Sequence, residues 1–479
     1  MQNHMFSALP DGYPLTGKSG PLSPARLDVV IALRLSLQAH QSDLSTDRPA
    51  RLTRDFPGAA VTMASPSDPA TRNIVIIGGG IIGCTTAFYL VSHPLFAAES
   101  TRITLLEASE HGVAQGASGK AGGLVAKWAY PKELVNVSFP EHVRLAQEYN
   151  GAERWGWRFV GCGSWEGRGE AVSDDAGTGV GAGGKRKSLE KTVGLDADWS
   201  QKKREATGLP DDLLWVKAEL TEAYSPMAPA KATAQVHPYL FTTSMLELAK
   251  QRGVEYISGK ATAINVDKST GRVSGVTYTD SALANQTIPA THVVLAAGAW
   301  SPKILPALPI VGTRAHSIAI RPQSSVTISP YVLFTEIQFR SSARGRLQQV
   351  SPEIYARPDN EVYCCGPGDD SAIPDTVDDV QVDQNACESI REHVASISNE
   401  LREGTVDKRQ ACFLPIVGSG GGPIVGEATG IAKGLIIATG HTCWGISNAP
   451  GTAKALTELI MEGKISCANL AKLQPGVYI

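Results

Sequence analysis

Residues 73–90, NIVIIGGGIIGCTTAFYL, constrain this chain more than any other stretch. Four β-branched residues, Ile74, Val75, Ile76 and Ile77, run into Gly78, Gly79 and Gly80. Ile81, Ile82 and Gly83 then open a helical segment that reaches His93-Pro94. A buried parallel strand, a tight turn and a helix N-terminus, in that order, are the setting in which G-x-G-x-x-G binds a dinucleotide. Gly78 permits the turn, Gly80 admits a pyrophosphate to the backbone, and Gly83 lets the helix lie against the strand. The free N–H groups and dipole of that helix then receive the phosphate charge. A second strand over residues 102–106 ends at Glu107-Ala108, where an acid accepts hydrogen bonds from a ribose 2′-OH.

The bare patterns mean little without that setting. Residues 179–184 (GVGAGG) also match G-x-G-x-x-G, and residues 12–19 (GYPLTGKS) match a P-loop. The first lies in a Gly/Ser/Asp stretch with no strand before it and no helix after it. The second follows no apolar strand and carries Pro14 inside the loop. Neither is read as a nucleotide site.

At 479 residues the chain is long enough for two domains. A net charge of −3 without a long basic run gives no reason to expect nucleic acid. No apolar run approaches the length of a membrane span, and no metal site is read. The eight cysteines include no C-x-x-C, which points to reduced thiols and a cytoplasmic setting, with a mitochondrial or endosome-associated one as the alternative. Cys364 and Cys365 are adjacent in a strand-like run, so they point to opposite faces and are read as core residues.

Residues 1–71 are rich in Ser, Pro, Arg and Asp and read as a disordered extension. Two alternatives stand beside this. One is a mitochondrial presequence, supported by Arg26, Arg34, Arg48, Arg51 and Arg54 but opposed by five aspartates; the other is a start at Met63. After Glu107, the small, Gly-rich turn Ala117-Ser118-Gly119-Lys120-Ala121-Gly122-Gly123 suits close approach to a flat or charged ligand. Lys120 there is either a partner of the pyrophosphate or a solvated lysine. Residues 166–190 read as a flexible, Gly-rich surface insertion. An amphipathic helix is expected over 241–252, strands over 254–257 and 261–266, and a long helix over 381–401. Two further strands stop at small residues, 291–298 and 434–440, the second leading through His441 and Trp444 to a helix over 450–461. Three strand-to-glycine units imply one nucleotide domain assembled from separated pieces.

Together the segments IVIIGGGIIG (74–83), LLE (105–107), ASGKAGG (117–123), HVVLAAGAWS (292–301) and IIATGHTCWGISNAPGTAKAL (436–456) resemble the D-amino acid oxidase superfamily of FAD-dependent oxidoreductases. That superfamily includes the sarcosine and glycine oxidases, and the likeness is strongest to a fungal-type branch of oxidoreductases. The resemblance implies a Rossmann-like, glutathione-reductase-type α/β domain interleaved with a mostly antiparallel β-sheet substrate domain. The FAD-binding pieces are expected at 72–130, 236–305 and 412–470, and the substrate domain at 131–235 and 306–411. Gly78, Gly80, Ile81, Ile82 and Gly83 would then take the pyrophosphate, and Glu107 and Ala108 the ribose. Ser118, Gly119, Lys120, Gly122 and Gly123 would lie along the dinucleotide, with Ala297, Gly298 and Trp300 near the ADP half. Gly440, His441, Trp444, Gly445 and Ile446 would meet the flavin ring.

The implied reaction is oxidation of a CH–NH group in a small amine or amino acid derivative, with hydride passing to the flavin and O2 as acceptor. Alternatives are a dehydrogenase with another acceptor, and a flavoprotein whose FAD is structural and whose surface serves trafficking or assembly. The chain departs from its relatives at two places. Tyr363 stands where sarcosine-oxidase-like members place a lysine, and Leu414 stands where glycine-oxidase-like members place an arginine. Tyr355, Arg357, His316 and Lys127 are the candidates to replace them. Cys412, near the covalent attachment point of sarcosine oxidases, is either a flavin link or simply packed.

Overall fold

A computed structural model describes residues 72–170, 195–340 and 347–479. The N-terminal extension, the P-loop look-alike and the second G-x-G-x-x-G lie outside the described residues.

One eight-stranded sheet runs in the order Asn285–Pro289, Arg272–Asp280, Glu255–Asp267, Thr101–Glu107, Arg72–Ile77, His292–Leu295, Leu435–Thr439 and Ile424–Glu427. Its five middle strands are parallel, with Ile76 opposite both Leu105 and Val294, and Leu295 opposite Ile437. The reason is the buried, mostly apolar run in four of them, Thr101–Glu107, Arg72–Ile77, His292–Leu295 and Leu435–Thr439, which only a sheet covered on both faces can hide. Glu255–Asp267 joins through its first four residues. Alternation splits the central strand between two cores. Ile74 and Ile76 pack under the helices Ile81–Ser92, Pro238–Lys250 and Gly445–Glu462. Val75 and Ile77 pack on the other side with Val293, Leu295, Leu308 and Val417.

A second eight-stranded sheet is ordered Thr405–Val417, Ile310–Arg321, Glu361–Asp369, Glu353–Arg357, Tyr331–Arg340, Gly161–Arg168 and Thr221–Pro226, with Leu347–Val350 paired on Tyr331–Arg340. Every pairing in it is antiparallel except that between Tyr331–Arg340 and Gly161–Arg168. One face carries Ile318, Ile320, Leu333, Ile354, Val362 and Cys364 against the helices Gln384–Ala395 and Asn399–Glu403. The opposite face carries Cys162, Val332, Tyr355, Tyr363 and Cys365, and meets Trp128 and Trp444 of the first unit. The neighbours Cys364 and Cys365 do point to opposite faces.

Several boundaries differ from expectation, each for a visible reason. Residues 412–417, expected with the dinucleotide unit, continue the strand Thr405–Val417, which pairs with Ile310–Arg321 in continuous register from Lys408 to Val417 and shifts register only between Lys408 and Val406. The helix Lys132–Glu148, expected with the substrate domain, buries Leu134, Phe139 and Leu145 in the same core as Ile74. The expected helix over 381–401 is two helices, because the Ser398 hydroxyl accepts from Leu401 N–H and starts a second one. Strand Gly161–Arg168 takes in the first residues of the expected insertion, and most of the remainder lies outside the described residues.

Candidate functional site

The strand Arg72–Ile77 ends at Gly78, which has φ +110°. A Cβ there would lie 2.5 Å from the Ala296 carbonyl oxygen, so both the conformation and the space demand glycine. At Gly83 the clash would be with the Gly78 carbonyl at 2.0 Å, which is how closely the helix lies on the turn. That helix has no side-chain cap; Ile81 N–H donates to the Ser118 hydroxyl at 2.8 Å, and a Cβ on Gly80 would meet only that hydroxyl oxygen. Glu107 accepts from Gly79 N–H at 2.6 Å and from Ser109 N–H at 2.8 Å. Burial nevertheless holds its carboxyl above the usual range, outweighing those donors.

The helix Gly445–Glu462 has an equally uncapped N-terminus. A Cβ on Gly445 would come within 4.0 Å of Ile81 Cγ2, so the two helix starts converge. The N-termini of two long helices, aimed at one place, one of them with Ile81 N–H already given to the Ser118 hydroxyl, form an anion cradle without any basic side chain. Behind it, His441 is buried with Nε2 3.0 Å from the Thr452 hydroxyl, and burial pushes its pKa down to about 3. Ala297 and Gly298 close the side, where the Thr439 hydroxyl donates to the Gly298 carbonyl at 2.9 Å. Trp300 donates from Nε1 to the Pro374 carbonyl and sets its ring edge-on to Phe413. Lys120 reaches the Ala411 carbonyl at 3.2 Å, and burial lowers its pKa. Beside it burial pushes the Cys412 thiol up to about 11.

The second sheet faces this cradle. Along Glu353–Arg357, the period of two sets Glu353, Tyr355 and Arg357 on one face, opposite Cys365, Tyr363 and Glu361. Tyr355 lays its ring against Gly122, and Arg357 donates to the Ala121 carbonyl, so the strand lies along the Gly-rich turn. Arg357 is 3% exposed, 2.7 Å from Glu361 Oε1, with its guanidinium 4.7 Å above the Tyr363 ring. Its charge is therefore answered by a carboxylate already. His316 accepts from Asp383 N–H at 3.0 Å, and burial followed by the Arg314 charge lowers its pKa. Lys127 is exposed, with Nζ 5.0 Å over the Phe139 ring.

Three groups here escaped attention in the sequence. Glu353 is partly buried, accepts a short bond from the Tyr355 hydroxyl and one at 3.7 Å from the Cys365 thiol, and burial raises its pKa. Cys443 is solvent-accessible, yet burial pushes its thiol up to about 12 with help from the Glu353 charge. Both border an aromatic cluster between the second sheet and residues 440–446. Phe334 joins that cluster, its ring 6.1 Å from Trp128 and 6.4 Å from Tyr355, while Trp444 lies 5.4 Å from Trp128 and 5.5 Å from Tyr130. The signal for Glu353 was present as its two-residue offset from Tyr355.

The family model for FAD-dependent oxidoreductases (DAO) matches residues 73–459. The chain belongs to that family. It is 31% identical to "Putative oxidoreductase TDA3" of Saccharomyces cerevisiae over 87% of this chain and 97% of that protein. In fold it is similar to the iminodiacetate oxidase IdaA of Chelativorans sp. BNC1, with TM-score 0.60, 20% identity, and 84% and 98% of the two chains covered. Glycine oxidase of Geobacillus kaustophilus follows at TM-score 0.59 and 17% identity, with 84% and 98% covered. FAD is the cofactor of this DAO family, and the residues present fit it. The converging helix starts suit its phosphates and the electron-rich edge of its reduced ring, and Glu107 suits a ribose. When bound, FAD supplies the two-electron acceptor.

Proposed function

We propose that the protein oxidises a CH–NH group of a small amine or amino acid derivative, hydride passing to FAD and O2 serving as acceptor. The observation that carries this reading is the aromatic cluster where the second sheet meets residues 440–446. Trp128, Phe334, Tyr355 and Trp444 exclude water there, while Glu353 and Tyr355 supply polar groups for orientation. The uncapped N–H groups at the half-buried Gly445 would stabilise negative charge arriving on the ring. Two fold relatives, an iminodiacetate oxidase and a glycine oxidase, act on such substrates. In this reading Gly78 to Gly83, Glu107, residues 118–123, Ala297-Gly298 and residues 440–446 hold FAD, Tyr355 orients the substrate, and Arg357 holds the strand to the Gly-rich turn.

Anaerobic mixing of the yellow protein with a panel of amines tests it, since a substrate bleaches the flavin band near roughly 450 nm. Peroxide on re-aeration is expected. Bleaching without peroxide would favour the dehydrogenase alternative, which Tyr363 in place of a lysine supports. If no amine bleaches a flavin that dithionite reduces, amine oxidation is excluded.

A further inference from the structure

Beside the aromatic cluster stands one acidic group, Glu353, without an ion-pair partner among the described residues. Facing Glu353 are Tyr355 on its own strand, Cys365 on the next, Cys162 on Gly161–Arg168, and Cys443 beyond Leu435–Thr439. Among the described residues its hydrogen-bond partners are the Tyr355 hydroxyl and the Cys365 thiol, and no lysine, arginine or histidine forms an ion pair with it. The arginine of the same strand, Arg357, is occupied by Glu361 and the Ala121 carbonyl. A buried carboxylate without a cation is costly unless its ligand brings one. Around it stand Phe334, Tyr355, Trp128, Tyr130 and Trp444, whose ring contacts run in an unbroken chain from Tyr355 to Tyr130. Aromatic faces attract alkylated ammonium groups, whose methyl and methylene hydrogens share the charge. A primary ammonium would instead bring three N–H donors to a single carboxylate and leave some unpaired.

Resting on the amine-oxidation reading, we propose that the substrate is a secondary or tertiary amine, held as its cation by Glu353 and this aromatic box, and without a carboxylate on the neighbouring carbon. A carboxylate there would enter an apolar box beside Glu353 and find no counter-ion, whereas the fold relatives' named substrates, iminodiacetate and glycine, both carry one.

The test uses the FAD-loaded protein and three unreactive probes of similar shape: tetramethylammonium, trimethylglycine and tert-butanol, followed by the flavin's visible spectrum at constant ionic strength. Tetramethylammonium is expected to saturate, with the zwitterion and the alcohol at least tenfold weaker. Glu353→Gln should weaken tetramethylammonium tenfold or more while FAD content stays unchanged. Trimethylglycine binding as tightly as tetramethylammonium in the unmodified protein, or a Glu353→Gln protein that binds the cation normally, overturns the proposal. The first comparison needs no variant, so a folding defect cannot hide the answer. Glu353-dependent cation binding in a protein that no amine reduces would sink the oxidation reading and leave only the cation-binding box standing. Oxidation of carboxylated amines as readily as of their decarboxylated counterparts would do the reverse.

Discussion

Gly78 and Arg357 show how differently single residues were legible. Gly78 could be read from the sequence because a strand running into three glycines has few other uses. The structure adds that its φ of +110° and the Ala296 carbonyl both refuse a side chain. Gly78→Ala is expected to destabilise the protein by about 2–4 kcal/mol and to empty the FAD site; thermal unfolding and the ratio of flavin to protein absorbance check both. Arg357 could be singled out in the sequence as a candidate substrate group, but neither its burial nor its partner could be read there. Glu361 comes next to it only through the turn at Pro358–Asn360, where Asp359 has φ +60°. A short turn built on a positive-φ aspartate is not readable at the resolution of patterns. Glu353 shares a face with Tyr355 by its two-residue offset, but that offset points to a site only once the strand and the face it presents are known.

At the scale of elements, the helix Gly445–Glu462 explains why its own start was misplaced. Proline favours the first turn of a helix, which puts the expected start at Pro450. In fact Pro450 lies inside, where it cannot donate to the carbonyl four residues back, Ile446. His142, from the helix Lys132–Glu148, donates its Nε2–H to that carbonyl at 2.9 Å and replaces the missing N–H. No local pattern announces a donor 304 residues away. His142→Phe should therefore cost about 1–3 kcal/mol, and Pro450→Ala should recover part of the loss by restoring the backbone donor. A double-mutant cycle in urea measures the coupling, and strictly additive effects would refute it. The strands ending at Glu107, Leu295 and Thr439 were legible because continuous apolar runs admit only a buried parallel sheet. The second sheet's order was not, since its strands pair across long intervals.

For the whole molecule, acid is the expected weakness. Burial pushes His142, His237 and His393 down to about 4 and His441 to about 3, against an ordinary value near 6.5. Groups with depressed native pKa values favour folding at pH above 6.5, and that contribution drains away as pH falls from 6.5 towards 4. His142 and His441 both hold the helix Gly445–Glu462, whose start is proposed to meet the flavin, so FAD should leave as the fold weakens. Free-flavin fluorescence is expected to rise over the same interval as the urea midpoint falls. The described residues include no helix long and apolar enough to cross a membrane. The parallel sheet also sets a timetable. Strand His292–Leu295 waits for Leu435–Thr439, which leaves the ribosome on the order of ten seconds later. Until then the nascent chain has an open apolar edge and half a cradle, so cofactor loading belongs to the completed polypeptide. Ribosome-stalled chains ending before residue 435 should carry no flavin, however abundant FAD is in the cell.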